Sequence, residues 1–265
     1  MKVSIITVCK NAETAIERTM LSVVTQSCFA ENIEYLIVDG ASTDKTVEII
    51  EQYAGKYPIK WISEPDSGIY NAMNKGIKLA TGDYLLFLNA GDYLIHYNVI
   101  KSLTNLFQSD KFDVISGNAF YINPFTEHYH INAKKNCGAF FFYHDALPHQ
   151  AVFYKKNLFD KFGLYDEKFV IKADHVFNKK VICNEHVTTK YVDQIISVFF
   201  YDGISSKNID LSSKETEIFH NQYFTSEEMK EIQRQQLIIE RQNRKSILRF
   251  LSKMLMKIHE FLVSR

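Results

Sequence analysis

The chain has 265 residues and 46% hydrophobic content, enough to bury the core of one large domain, or of a domain with an appendage. Lysine plus arginine and aspartate plus glutamate both number 31, so no whole-chain basic field points to nucleic acid. Four scattered cysteines form no CxxC pair, which argues against a zinc module or a disulfide framework and fits a reducing cytosol.

The first hundred residues alternate between strand and helix patterns. A helix is predicted from about Ala12, a second one begins at a Ser42 or Thr43 cap, and a third begins at a Ser67 cap and ends before Gly82. The intervening strands are predicted at residues 3–8, 33–38, 59–62 and 84–88. This βαβαβαβ series predicts an α/β fold with a mainly parallel central sheet and right-handed crossovers.

After residue 95 the pattern becomes α+β. Residues 113–120 and 127–131 are predicted to be antiparallel strands around a turn at Asn123 and Pro124, followed by a helix at about 172–184 and one or two strands over 188–200. From about Leu211 the chain is helix-forming. We therefore predict a domain over residues 1–202, with halves 1–95 and 96–202, and a helical extension over residues 203–265.

Two carboxylates follow directly after predicted parallel strands. Asp39 ends the second strand, and Asp92 follows the fourth. In open α/β sheets, ligands bind outside the carboxyl ends of the strands, so both are candidates for a ligand site. The alternatives are a turn or cap role for Asp39 and a helix cap for Asp92. The chain lacks GxGxxG and GxxxxGK[ST], so neither a dinucleotide fold nor a P-loop is supported.

Four segments, in this order and spacing, resemble the inverting glycosyltransferases of family 2, which have the GT-A fold. The match covers roughly residues 1–202. The resemblance implies transfer of one sugar, with inversion, from a nucleotide-diphosphate sugar to a hydroxyl group. The segments are SIITVCKNA, LIVDGASTDKT, EPDSGIYNAMNKGI and GDYLLFLNAGD.

The resemblance also implies roles for individual residues of the first half. It places Thr7, Val8 and Asp39 at the base and ribose, and Asn74 and Lys75 near the diphosphate. Lys75 fits a solvated helix position equally well. The implied nucleotide-sugar residues are Thr7, Val8, Asp39, Asp66, Asn74, Lys75 and Asn89. The family's acidic metal motif corresponds here to residues 89–92, in which Asp92 is the only carboxylate. The Asp92 carboxylate is sufficient to bind Mg²⁺ or Mn²⁺ when water or Asn89 and substrate phosphates supply the other ligands.

The second half resembles the family's acceptor and catalytic region. A carboxylate that opens a helix acts there as general base, and Asp174 matches that position. The preceding residue, usually acidic, is Ala173. His149 and Gln150 begin the same region and are candidates for binding the acceptor or the diphosphate. Asp166 and Glu167 are competing carboxylates, but their setting after Gly163 indicates a turn.

The last segment, residues 245–265, carries an apolar helical stripe with lysine and arginine around it. Such a helix either lies on an anionic membrane surface or packs on the catalytic body or a second subunit. The apolar run at 3–8 is shorter than a signal peptide's core, and no segment approaches the roughly 18 apolar residues of a membrane span. We expect a cytoplasmic enzyme, free or peripheral on the inner face of the plasma membrane.

We expect the acceptor to be a glycan or a polyprenyl-linked saccharide of a bacterial surface polysaccharide. Two other functions remain open. One is a catalytically inactive nucleotide-sugar-binding subunit, which the single carboxylate of the metal motif keeps open. The other, less well supported, is a nucleotidyltransferase. The latter would need a glycine-rich basic loop where this chain has CKNAETA.

Overall fold

The first four strands are short apolar runs, and three of them are buried along their whole length. In the computed structural model they are β1 (Val3–Cys9), β2 (Ile33–Asp39), β3 (Ile59–Ser63) and β4 (Tyr84–Phe87). They are mutually parallel in the order β3-β2-β1-β4, which confirms the predicted parallel sheet. Burial on both faces is what apolar, non-alternating strands require. The structure describes residues 1–122, 129–131, 137–200 and 208–263.

Helices connect these strands, and two of the predicted caps are wrong. The helices are α1 (Ile16–Val24), α2 (Phe29–Asn32), α3 (Thr46–Ala54) and α4 (Ile69–Leu79). Lys45, not Ser42 or Thr43, precedes α3, because the Ser42 hydroxyl binds Asp39 instead. Gly68, not Ser67, precedes α4, and its φ of 144° is a conformation that favours glycine.

The second half extends the same sheet. Its strands are β5 (Tyr93–Leu94), β6 (Val114–Ile122), β7 (Tyr129–Ile131), β8 (Val152–Lys155) and β9 (Thr189–Phe200). The order continues β4-β8-β6-β9-β5, with β8 antiparallel to both of its neighbours. The predicted antiparallel pairing of β6 and β7 is confirmed, and their Asn123 and Pro124 turn lies outside the described residues.

The helices of this half include the predicted one that carries Asp174. They are α5 (Val99–Ser102), α6 (Thr104–Gln108), α7 (Ala139–His144), α8 (Asn157–Phe162), α9 (Ala173–Ile182) and α10 (Ile209–Tyr223). By contacts, the chain divides into Met1–Tyr223 and Phe224–Arg265. Helix α10, which the sequence analysis assigned to the extension, therefore groups with the first unit.

The second unit is built on one long helix, α11 (Ser226–Val263). Among the side chains described on it, those of Leu237, Ile238, Ile239 and Ile247 are large, apolar and exposed. The side chains of the predicted stripe from Leu248 onward lie outside the described part of the chain. Among the described helices, none combines the length and the apolar character needed to cross a membrane.

Candidate active site

The site lies where the carboxyl ends of β1, β2 and β4 meet. The backbone N–H of Gly40, just after β2, donates to the carbonyl of Cys9 at 2.8 Å. On the other side, the N–H of Ala90, after β4, donates to the carbonyl of Val8 at 3.1 Å. The segments that carry Asp39 and Asp92 therefore flank the end of β1, as the parallel order requires.

Asp39 is fully buried, and its carboxylate is held by two serines. Ser42 donates from its hydroxyl at 2.5 Å and from its backbone N–H at 2.9 Å, and the Ser63 hydroxyl donates at 2.6 Å. The loops after β1 and β2 interlock nearby, where Asn11 and Ala41 adopt positive φ angles of 49° and 57°. Such conformations cost energy in residues with side chains and cluster at functional sites.

Asp66 lies against the same loop. A methyl group added at Gly40 would meet Asp66 Oδ2 at 2.2 Å, so only glycine allows this approach. Lys75 holds the acidic loop in place, because its ammonium contacts the Pro65 carbonyl at 2.7 Å and Glu64 at 2.8 Å. The structure thus brings Asp66 next to Gly40, the residue after Asp39, and Lys75 fixes the acidic loop that carries Asp66.

Three residues of the implied nucleotide-sugar set face the interior. The buried Thr7 hydroxyl donates to the Leu88 carbonyl at 2.8 Å, and Val8 is buried beside it. The Asn74 side-chain amide binds both the N–H and the carbonyl of Tyr165, at 3.0 and 2.9 Å. Thr7 and Asn74 already make hydrogen bonds within the protein, and Val8 is buried. We therefore do not assign the side chains of these three residues to ligand binding.

A hydrogen-bonded row of four side chains crosses the other side of the site. The Nδ1 atom of His149 lies 3.1 Å from Asp174 Oδ2, and its Nε2 atom lies 3.1 Å from the Asn89 amide nitrogen. The Tyr70 hydroxyl lies 2.7 Å from Asp174 Oδ1. Three residues that the sequence analysis named separately are therefore joined, and Tyr70 is an addition. Gln150 is buried in the same short helical turn as His149.

Electrostatics favour opposite charges on Asp174 and His149. Burial alone would raise the pKa of the Asp174 carboxyl, but His175, His149 and the Tyr70 hydroxyl outweigh it and hold that pKa well below its usual range. Burial alone would lower the pKa of His149, but Asp174, together with Asp92, outweighs it and raises that pKa.

The loop that carries Asp92 is fixed by helix α1. The Thr19 hydroxyl donates to the Asp92 carbonyl at 2.7 Å and accepts the Gly91 N–H at 2.8 Å. Arg18 donates to the Gly91 carbonyl at 2.7 Å, and its guanidinium lies 4.2 Å from the ring centroid of Phe200. The sequence analysis missed Arg18 and Thr19. The spacing of apolar residues predicts the helix, but it does not predict what the polar face of the helix contacts.

The oxygen donors of this loop fit a hard divalent cation. Within the described ranges no three His, Cys, Asp or Glu side chains group to hold a metal ion. However, Asn89 Oδ1 is buried without a hydrogen-bond partner in the described structure, and the Asp92 carboxylate follows three residues later. A carboxylate and an amide oxygen suit Mg²⁺ or Mn²⁺ when substrate phosphates and water complete the shell.

The chain is similar to known glycosyltransferases over most of its length. The sequence model described as Glycosyl transferase family 2 matches residues 4–171. A PGL/p-HBAD biosynthesis glycosyltransferase of Mycobacterium bovis is 28% identical over 215 residues, which cover 78% of this chain and 80% of the relative.

Two solved structures share the fold. Staphylococcus aureus TarS 1-349 in complex with UDP-GlcNAc has a TM-score of 0.67 at 19% identity, over 86% of this chain and 68% of that one. The Pyrobaculum calidifontis mannosyltransferase PcManGT, in complex with GDP-Man and Mn²⁺, has a TM-score of 0.59 at 15% identity, over 74% of this chain and 56% of that one. The predicted GT-A fold is confirmed, and the chain belongs to glycosyltransferase family 2.

Proposed function

We propose that the protein is an inverting glycosyltransferase that moves one sugar from a nucleotide-diphosphate sugar to a hydroxyl group of a glycan or a lipid-linked saccharide. The observation that carries this proposal is the hydrogen-bonded row Asn89–His149–Asp174 beside the Asp92 loop. It supplies a buried, ionised carboxylate at the carboxyl edge of the sheet, where α/β folds bind ligands.

In this proposal Asp174 acts as general base. The acceptor oxygen forms a bond to the anomeric carbon as the bond from that carbon to the diphosphate oxygen breaks. The acceptor proton passes to Asp174, and the electron pair leaves with the nucleoside diphosphate. The pKa of Asp174, held below its usual range, keeps the carboxylate ionised at neutral pH, which is the form that a general base needs before it takes a proton. His149 orients the carboxylate.

Asp66 is the residue that we assign to the nucleotide, and Asp39, whose buried carboxylate is held by Ser42 and Ser63, fixes the loops beside it. The two aspartates lie together at the end of β2, where the interlocked loops build a rigid polar floor. A carboxylate such as Asp66 accepts hydrogen bonds from ribose or base groups. The two similar structures, which hold UDP-GlcNAc and GDP-Man, support a nucleotide-sugar donor and leave the choice of nucleotide open.

Asp92 and Asn89 would hold Mg²⁺ or Mn²⁺. The metal would supply Lewis-acid stabilisation of charge on the departing diphosphate, an effect worth several kcal/mol. The Mn²⁺ in the PcManGT complex supports this assignment, as does the orphaned Asn89 oxygen.

The acceptor that we propose belongs to surface-glycan synthesis at the inner face of the plasma membrane. The Mycobacterium bovis relative, a glycosyltransferase of PGL/p-HBAD biosynthesis, supports a cell-envelope product. The exposed apolar residues of α11 favour a contact with a membrane surface or with a second subunit over a free solvated helix.

A second candidate function is a nucleotide-sugar-binding subunit without catalysis. It is favoured by one observation, the single carboxylate in the segment Asn89–Ala90–Gly91–Asp92. The two functions differ in turnover and not in donor binding.

The test is a screen of UDP, GDP, CDP and dTDP sugars with Mn²⁺ by thermal shift, because a ligand that binds only the native state raises the melting temperature. The donor that binds is then incubated with saccharide acceptors, and the anomeric configuration of the product is read by NMR. We expect an inverted product with the wild type and none with Asp174→Asn, which still binds the donor. A retained configuration, or a fully active Asp174→Asn, rejects this mechanism; binding without any turnover favours the subunit.

A further inference from the structure

The carboxylate of Glu215, on helix α10, accepts hydrogen bonds from three consecutive backbone N–H groups. The N–H of Val170 donates to Oε1 at 2.7 Å, and those of Ile171 and Lys172 donate to Oε2 at 2.9 and 3.0 Å. Helix α9 begins at the next residue and carries Asp174 in its first turn. We infer that Glu215 is a positioning residue that fixes Asp174 for proton removal; this inference rests on the proposed function.

Among the described residues, no other group accepts these three N–H groups. Lys172 occupies the position before the helix, and its side chain makes no capping bond. Successive N–H groups that point to one side form a concave site for an anion, and hydrogen bonds to a charged acceptor are roughly twice as strong as neutral ones. Glu215 is 3% exposed, so its carboxylate is hydrogen-bonded by these donors and not by bulk water. The carboxylate therefore defines where the backbone enters α9.

A second connection runs through Tyr70. Its hydroxyl lies 2.6 Å from the carbonyl of Ile171 and 2.7 Å from Asp174 Oδ1. A shift of the segment held by Glu215 would move both the helix start and this hydroxyl. Because a misplacement of about 1 Å can cost ~10²-fold in rate, a small shift is sufficient to matter.

The pattern of acceptors makes glutamine a sharp probe. One oxygen of Glu215 accepts one N–H and the other accepts two. In Glu215→Gln, the amide nitrogen must face at least one backbone N–H, so two donors meet without an acceptor. The variant keeps the size of the side chain, and α10 keeps a separate anchor, because His220 stacks on Tyr143 with ring centroids 3.9 Å apart.

Glu217 provides the matched control. It lies on the same helix two residues away, its side chain is exposed, and Glu217→Gln makes the same chemical change. Glu215→Asp gives a second variant that keeps the negative charge but shortens the reach by one methylene group. If charge alone mattered, this variant would behave as the wild type does.

The experiment measures kcat and the donor KM of these four proteins, and backbone hydrogen exchange of residues 170–172 by mass spectrometry. For Glu215→Gln and Glu215→Asp we expect kcat to fall at least about tenfold, donor KM to stay within about twofold, and exchange to accelerate. Glu217→Gln should match the wild type. A purely structural role would change donor KM together with kcat.

Two outcomes overturn the inference alone, provided that the wild type transfers sugar and Asp174→Asn does not. They are a wild-type kcat in Glu215→Gln and unchanged hydrogen exchange at residues 170–172. A wild type without transfer, or an active Asp174→Asn, instead rejects the proposed function, and the role of Glu215 falls with it.

Discussion

The imidazole of His149 and the carboxylate of Asp174 are hydrogen-bonded at 3.1 Å although 25 residues separate them in the chain. His149 lies in a helical turn before β8, and Asp174 lies in the first turn of α9. Burial opposes the charged form of each group, but each group shifts the pKa of the other toward its charged form. Proton removal from the acceptor therefore depends on both residues.

We predict that His149→Gln lowers kcat while donor affinity stays within about twofold. Glutamine lacks the rigid imidazole ring that contacts Asp174 with one nitrogen and Asn89 with the other. Because a positioned base contributes ~10² to 10⁴ in rate, we expect a loss near the lower end, about 10²-fold. Steady-state kinetics and calorimetry with the donor measure the two effects. His186→Gln is the control, since the His186 side chain is 75% exposed. A large loss of donor affinity would assign His149 to the diphosphate instead.

Tyr70→Phe should reduce both stability and rate. The change leaves Asp174 Oδ1 and the Ile171 carbonyl without the hydroxyl that each now contacts. A buried polar group that loses its partner costs about 1–3 kcal/mol, so the free energy of unfolding should fall by that amount in urea titrations. In Tyr53→Phe, whose hydroxyl contacts Glu17 at 3.2 Å near the surface, the change should stay below about 0.5 kcal/mol. Equal losses in the two variants would contradict the buried role of Tyr70.

The parallel half of the fold and the location of Asp39 and Asp92 were predictable from the sequence. Buried parallel strands are continuous apolar runs, and a residue that follows such a run must lie at the carboxyl edge of the sheet. The caps were not predictable, because Ser42 and Ser67 have the residue type of a cap but find carboxylate partners in Asp39 and Glu167.

The contacts within the site were harder to predict than its location. Asn74 and Thr7 have polar side chains near the right strand ends, yet the fold turns both inward. Tyr70 reaches Asp174 from 104 residues before it, and Glu215, on helix α10, reaches the backbone of residues 170–172 just before α9. No local period or motif encodes such contacts, because they depend on how distant elements pack.

Gly40→Ala should weaken donor binding. The added methyl group would meet Asp66 Oδ2 at 2.2 Å, so the Asp66 carboxylate must turn away from the end of β2. We expect the donor Kd to rise at least about tenfold, equivalent to ~1.4 kcal/mol, with a smaller effect on kcat. Gly55→Ala is the control, because its new methyl group would find its nearest atom at 3.5 Å. Unchanged donor Kd in Gly40→Ala would remove Asp66 from the nucleotide site.

Asp92→Asn should raise the Mn²⁺ concentration needed for half-maximal activity by about tenfold or more. The substitution replaces the one carboxylate of the proposed metal site with a neutral amide, which a hard cation binds less strongly. Asp83→Asn is the control, because Asp83 accepts the Lys2 N–H at the opposite end of β4. If EDTA leaves wild-type activity intact, the enzyme works without a divalent metal, and Asp92 has another role.

Glu34 should make the fold sensitive to acid independently of the active site. Burial alone would raise the pKa of its carboxyl, but bonds from Lys60, Ser4 and Thr81 outweigh burial and lower the pKa to about 2. Because the pKa is lower in the folded state, the ionised Glu34 stabilises the fold. This stabilisation is complete above the unfolded-state pKa of 4.5 and is lost as the pH falls through about 2. The contribution is up to about 3 kcal/mol.

The measurement is urea unfolding of wild type and Glu34→Gln at pH 7 and at pH 3. At pH 7 the variant should be less stable, because its amide cannot accept all of the donors that Glu34 binds. Toward pH 3 the difference in stability between the two proteins should shrink. At that pH Glu34 of the wild type takes up a proton on unfolding, which favours its unfolded state, and the variant has no such group. Glu48→Gln, at an exposed position of α3, should follow the wild type at both pH values. A difference that is constant with pH would mean that the Glu34 carboxylate is not selectively stabilised by folding.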